Sequence, residues 1–333
     1  LHRLIRRQRQ MCIRDSDPTY FRSWNHEISL HLQSNPDRKF SFGSIIGVRY
    51  EMQKYLQNDF PDTTLTIKDS IFWFTIADHY TESLIQNSAV FGELINDIGK
   101  GFHWKARGAF YFQGYKAGDT HLQGEMEKSF GLNENPASLR IYGTMDIVRP
   151  GYWLNNYSSN HFMWNNDFRF EKKIRAGARF SVPAISLSVS GGVSLLDQFV
   201  YFDSLATPVQ SDQAFLVYNA GIEKIFNFWK IRSHNSLELQ YSSDQTALPL
   251  PAVLYRNSTY FHHIFHFKST GGQLATELGF DLYYFSPFNG YGFMPATGIF
   301  YVPYDRQVGN YPFVDVFLNV KAVSYTHLTL PTN

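Results

Sequence analysis

The chain of 333 residues is 44% hydrophobic and 17% aromatic, yet its mean hydropathy is −0.29 and no stretch approaches the roughly 20 apolar residues of a membrane helix. Its formal charge of +1 gives no strong basic patch, which argues against a nucleic-acid partner. The single cysteine, Cys12, excludes thiolate metal sites and a disulfide framework.

The two ends read differently from the rest. Arg6 to Asp15 and Val323 to Thr332 can be encoded by reverse-complementary strands, codon by codon and in frame: Met11 (ATG) answers His327 (CAT), Cys12 (TGT) answers Thr326 (ACA), and Asp15 (GAC) answers Val323 (GTC). The peptides RRQRQMCIRDS and VSYTHLTLPT resemble a translated sequencing-library adapter read in its two orientations. Residues 1–16 and 323–333 are therefore expected to be non-native, leaving 17–322 as the native portion, truncated at both ends. Without them Lys+Arg falls from 30 to 25 and Asp+Glu from 29 to 28, so the charge moves to −3 and no cysteine remains.

In chain order, Ile28, Leu30 and Leu32 alternate with Glu27, Ser29 and His31, the period of two that puts successive side chains on opposite faces of a strand. A turn at Asn35-Pro36-Asp37 leads to a second strand, with Arg49 and Glu51 opposite Val48 and Tyr50. Asn58 to Thr63 reads as a loop, and 64–78 as one long strand or a strand pair. The segment 82–98 is ambiguous, because Leu84, Ser88, Phe91, Ile95 and Ile98 also fit one face of a helix.

The clearest pattern is the meander from 102 to 147. Its three runs set Phe102, Trp104 and Phe110 against Lys105 and Arg107, then Leu122 and Met126 against Glu125 and Glu127, then Ile141 and Met145 against Arg140 and Asp146. A polar, aromatic loop from Pro150 to Asn160 follows. The run 161–172 places Asp167 and Arg169 opposite Phe168 and Phe170, and the next places Arg175 and Arg179 opposite Ile174 and Phe180. After the break at Pro183, residues 185–195 alternate apolar positions with Ser186, Ser188, Ser190, Gly192 and Ser194. Asp203 to Asp212 is a loop, and strands recur near 214–225, 229–242, 258–268, 273–285 and 312–321. Ser286 to Asn310 is a long loop that folds inward as a constriction or lies at the surface.

About a dozen strands, many near the 9–11 residues that cross a bilayer at a tilt, favour an all-β, antiparallel, up-and-down transmembrane barrel over a soluble sandwich of shorter strands. Aromatics near strand ends, such as Tyr152 and Trp153 or Phe226 to Trp229, suit interfacial girdles. In such a barrel Lys105, Arg107, Glu125, Glu127, Arg140, Asp146, Asp167, Arg169, Arg175 and Arg179 are the candidate lumen-lining residues.

Enzymatic constellations are weak. His262, His263 and His266 look like a metal cluster but lie in a strand, where positions i and i+4 are about 13 Å apart. His103, His121 and Ser138 can be assembled into a hydrolase site only on paper, since polar residues line every strand. Gly191 and Gly192 lack a following helix and a phosphate-loop pattern. No catalytic residue, cofactor or metal is expected.

The stretches 160–168 (NHFMWNNDF), 293–301 (FMPATGIFY) and 309–319 (GNYPFVDVFLN) resemble the "Putative porin" family of the Bacteroidetes outer membrane. That resemblance implies a porin-like outer-membrane channel passing small hydrophilic solutes by passive diffusion, with outer-membrane lipid as its surroundings; association into a homo-oligomer stays open. Two alternatives remain: a non-conducting structural or receptor barrel, and a soluble extracellular glycan-binding β-protein.

Overall fold

The computed structural model of the protein describes residues 19–34, 42–58, 80–97, 101–131, 135–159, 161–267 and 272–323. The turn expected at Asn35–Asp37, the strand or strands expected over 64–78 and nearly all of the adapter-like termini lie outside the described residues. The first half contains β1 (Tyr20–Leu32), β2 (Gly43–Asn58), β3 (Tyr80–Asn96), β4 (Phe102–Gln113), β5 (Thr120–Phe130) and β6 (Ala137–Val148). One helical turn, α1 (Tyr152–Asn155), then precedes β7 (Asn156–Ser158) and β8 (Met163–Asn165). The chain continues through β9 (Glu171–Val182), β10 (Leu187–Asp197), β11 (Val200–Phe202), β12 (Pro208–Gln210), β13 (Phe215–Phe228), β14 (Ile231–Ser242), β15 (Val253–His266) and β16 (Gln273–Phe285). Last come β17 (Phe288–Asn289), β18 (Gly292–Met294), β19 (Ile299–Tyr301), β20 (Gln307–Val308) and β21 (Pro312–Val323).

Thirteen of these strands form one antiparallel sheet in the order β1-β2-β3-β4-β5-β6-β9-β10-β13-β14-β15-β16-β21. Each long strand pairs with the next long strand in the chain. The remaining short strands make two-stranded ribbons inside the loops: β7-β8, β11-β12, β17-β20 and β18-β19. β1 and β21 are the two edges and do not pair with each other.

The ends of the sheet are unlike. At one end the strands are joined through 33–42, 97–101, 131–136, 183–186, 229–230 and 267–272; at the other through 59–79, 114–119, 149–170, 198–214, 243–252 and 286–311. The described connections are mostly shorter at the first end and longer at the second, with 114–119 a short one at the second end; short turns on one rim and longer loops on the other are the pattern of outer-membrane barrels. The tight turns place Ser186 and Trp229 at positive φ, 49° and 53°. Gly114 opens the β4–β5 connection at φ 93°, with the carbonyl oxygen of Gln86 where a Cβ would stand.

The faces differ as sharply as the ends. One carries Ile28, Leu30, Ile46, Val48, Leu122, Ile141, Ile222, Leu278 and Val316, all exposed; Ile28 is 74% and Val316 76% exposed. A monomer in water rarely shows a contiguous apolar surface on this scale, whereas lipid accepts it. Buried apolar side chains are correspondingly few, and the cluster Leu196, Phe215 and Ala247, with Phe199 and Tyr201 against it, sits beside the long loops.

Residues 82–96, ambiguous in the sequence, are strand, and two expectations are corrected. The run 161–172 is a short strand, β8, followed by irregular backbone at 166–170. The hydroxyl-rich strand begins at Leu187, because Pro183–Ile185 forms a 3-10 turn.

Candidate functional site: the charged face of the sheet

Register decides which of the predicted residues meet. Lys105 stands opposite Glu125, Arg140 opposite both Glu127 and Arg179, Thr144 opposite Arg175, and Asp146 opposite His121. Eight of the ten candidates, Lys105, Arg107, Glu125, Glu127, Arg140, Asp146, Arg175 and Arg179, therefore share one face. Asp167 and Arg169 do not join them. They lie in 166–170, where Asn155 takes the backbone off the ladder: its carbonyl accepts from the Asn166 N–H at 2.6 Å and its side-chain oxygen from the Phe168 N–H at 3.1 Å. Arg169 instead exchanges backbone hydrogen bonds with the Gln210 amide, 2.9 and 2.8 Å.

The charges on this face are joined across strands. Arg49 of β2 donates to Glu27 of β1 at 2.6 Å. Glu93 of β3 takes both Lys105, at 2.8 Å, and Arg107, at 2.5 Å, so the Lys105 ammonium passes over the Glu125 facing it. Arg140 gives Glu127 two hydrogen bonds of 2.8 and 3.2 Å. Asp146 lies 2.8 Å from His121 Nδ1 and 3.9 Å from Arg175, and Arg179 lies 3.7 Å from Glu223 of β13. Solvent-exposed pairs of this kind each contribute about 0–1 kcal/mol. Their main effect is on the field above the sheet, not on stability.

Sequence reading missed Glu93 and Glu223 as partners, since alternation tells which face a residue takes but not which neighbour it meets. It also missed the layer formed by the long loops. Lys116, in the β4–β5 connection, reaches Glu51 of β2 at 2.7 Å, and Glu51 also accepts from the Tyr111 hydroxyl at 2.7 Å. Tyr115, also in the β4–β5 connection, donates to the Pro150 carbonyl at 2.8 Å and accepts from Asn155 at 2.6 Å, both in the segment between β6 and β9. Trp164 stacks on Tyr157 and meets Phe202 of the next loop at 6.2 Å, and the Phe202 carbonyl accepts from the Val302 N–H of the last loop at 2.9 Å. Burial raises the Asp119 carboxyl above its ordinary range, opposed by the Arg149 N–H that it accepts at 2.7 Å; burial likewise raises the Tyr115 phenol.

On β10 the same face is uncharged, with Ser188, Ser190, Gly192 and Ser194 between Arg175 and Arg179 of β9 and Glu223 of β13. The histidines do not converge. His262 and His266 share one face of β15, where His262 lies 3.3 Å from Glu277, and His263 takes the other, 2.7 Å from the Lys230 ammonium. No metal-ligand cluster occurs among the described residues.

Comparison with known proteins agrees with this architecture. Curated proteins give no sequence match. Among solved structures, the copper transporter OprC aligns with a TM-score of 0.58 at 13% identity, over 91% of this chain and 48% of its own. The siderophore receptor PirA from Acinetobacter baumannii aligns at 0.56 and 10% identity, over 91% and 48%. The chain thus spans about half the length of either, and at such identity the likeness is one of fold. A family profile described as "Putative porin" matches residues 6–323, a span that includes most of the first adapter-like segment. The chain belongs to this porin family and is a β-barrel protein of the bacterial outer membrane.

Proposed function

We propose that the charged face lines a water-filled lumen through which small hydrophilic solutes diffuse passively, and that the exposed apolar face meets outer-membrane lipid. The observation that carries this reading is the division of a thirteen-stranded sheet into one face joined by cross-strand ion pairs and one face of exposed aliphatic and aromatic side chains. A family of porins and a fold shared with transport and receptor barrels support a transport-type role and not an enzymatic one.

The mechanism follows from the wall. Antiparallel pairing satisfies the backbone between neighbours, and paired charges filter solutes by size and sign. Lys105→Glu with Arg107→Glu leaves Glu93 among like charges and should move the reversal potential in a planar bilayer toward cation selectivity, whereas Glu93→Gln should move it toward anions. A refolded protein that passes no current overturns the channel reading; an unmoved potential removes these residues from the lumen.

A second reading, a receptor-type barrel whose long-loop end is covered, draws on the contacts that tie the loops 149–170, 198–214 and 286–311 together and on the printed roles of the two structural neighbours.

A further inference from the structure

The apolar face carries its charges near its two rims, and the rims treat them differently. At the long-loop end Lys54 of β2 meets Glu82 of β3 at 2.7 Å and Lys172 of β9 meets Asp197 of β10 at 3.0 Å, while the Arg22 guanidinium of β1 lies over Tyr20 and Trp24. At the short-turn end the same face bears Lys128, Lys224 and Lys230. Among the described residues none of these three has a carboxylate partner, and no Asp or Glu stands on that face near their end of the sheet. An unmatched cation at the border of a hydrocarbon layer draws an anion from the headgroups beside it.

Lys230 differs from the other two in what surrounds it. The Lys224 ammonium is taken by the Ile185 carbonyl. Lys230 sits in the turn between β13 and β14, where its carbonyl accepts the His262 N–H of β15 at 2.8 Å. Its ammonium donates to His263 Nδ1 at 2.7 Å and lies 4.9 Å from the ring centre of Trp229 and 6.0 Å from that of Phe261. Because Nδ1 accepts, the imidazole is neutral and carries its proton on Nε2. Ammonium and imidazole together offer several N–H donors to one acceptor group, chemistry that suits the oxygens of a phosphate. Glu277, a carboxylate of the neighbouring strand, is on the opposite face with His262. Trp229, 79% exposed, and Phe265, whose ring meets His263 at 4.5 Å, border the pair with apolar surface, as aromatic rings do at headgroup level.

We propose that Lys230, His263 and Trp229 form a binding site for the phosphate headgroup of a glycerophospholipid in the leaflet at the short-turn rim. The ammonium and the imidazole N–H hold the phosphate, and Trp229, Phe261 and Phe265 lie along the glycerol and the upper acyl chains. The site rests on the reading of the apolar face as lipid-facing and does not require that the barrel conduct.

The test titrates dioleoyl phosphatidylglycerol into the full chain refolded in an uncharged maltoside detergent and reads retained lipid by native mass spectrometry. Saturable retention is expected. Lys230→Gln should weaken the tightest lipid about tenfold, the scale of one charge-assisted hydrogen bond, and Lys230→Arg should stay within about threefold. His263→Phe keeps the lysine and removes the second donor, so it should also weaken retention. Lys172→Gln, at the other rim, should leave it unchanged, and dioleoylglycerol, which lacks the phosphate, should not be retained. Displacement by inorganic phosphate at a concentration equal to the lipid would mark a site for a free anion and overturn the proposal. A dimer mass abolished by Lys230→Gln would overturn it too, making this surface a contact between copies of the chain. Flotation with phosphatidylcholine vesicles tests the apolar face by itself. A protein that floats but retains lipid equally in both weakening variants overturns the site alone, and one that does not float overturns the lipid-facing reading.

Discussion

Asp119 shows how one residue holds a loop connection on this rim. Its carboxylate accepts the Arg149 N–H in a nearly dry setting, and burial holds its proton more tightly in the folded state than in the unfolded one. The fold therefore binds more protons between the ordinary aspartate value and the raised one, and this group's contribution to stability falls as pH rises through that window. Asp119→Asn keeps an oxygen acceptor and should flatten the pH dependence there. Asp119→Ala strands the Arg149 N–H and should cost about 1–3 kcal/mol. Denaturant midpoints in detergent across that pH range read both effects. None of this was legible in the sequence, where Asp119 is one polar residue in a short turn.

At the scale of elements, the alternation in β4, β5 and β6 was readable because each strand keeps its charges on one face. It failed for β3, whose apolar residues occupy both faces: Ile85, Phe91 and Ile95 align with Glu93, while Leu84, Val90 and Leu94 lie opposite. That two-sided pattern imitates helical spacing. In 166–170 alternation was present without a strand, because hydrogen bonds to Asn155 and the packing of Trp164 outcompete ladder pairing. Asp167 and Arg169 were lost from the wall for that reason. The two faces should also answer differently to the same change. Val48→Arg puts a cation on the apolar face and should cost about 2–4 kcal/mol in a bilayer if it lies near the midplane. Ser190→Arg, on the hydroxyl strip, should leave the unfolding free energy nearly unchanged and lower conductance. Urea titration in lipid vesicles and single-channel recording separate the two.

For the whole molecule, the class of fold was legible from strand length and alternation, and the layer of loops was not, since its contacts join residues far apart in the chain, such as Trp164 with Phe202 and Ser83 with Tyr152. The unpaired edges have a measurable consequence. Among the described residues, backbone amides on the outer sides of β1 and β21 lack ladder partners, so hydrogen exchange should be fastest there and slowest in β9 and β10, which are paired on both sides. Equal protection across all thirteen strands would mean that the edges are covered.

The unlike rims also set where this molecule is free to vary. A residue inserted into the two-residue turn at 229–230 would slip β13 against β14 and exchange the lipid-side and water-side surfaces of a whole strand. The same insertion in 198–214 or 286–311 leaves the ladder untouched. Diversity can accumulate on one rim alone, the one that outer-membrane barrels turn toward the outside of the cell.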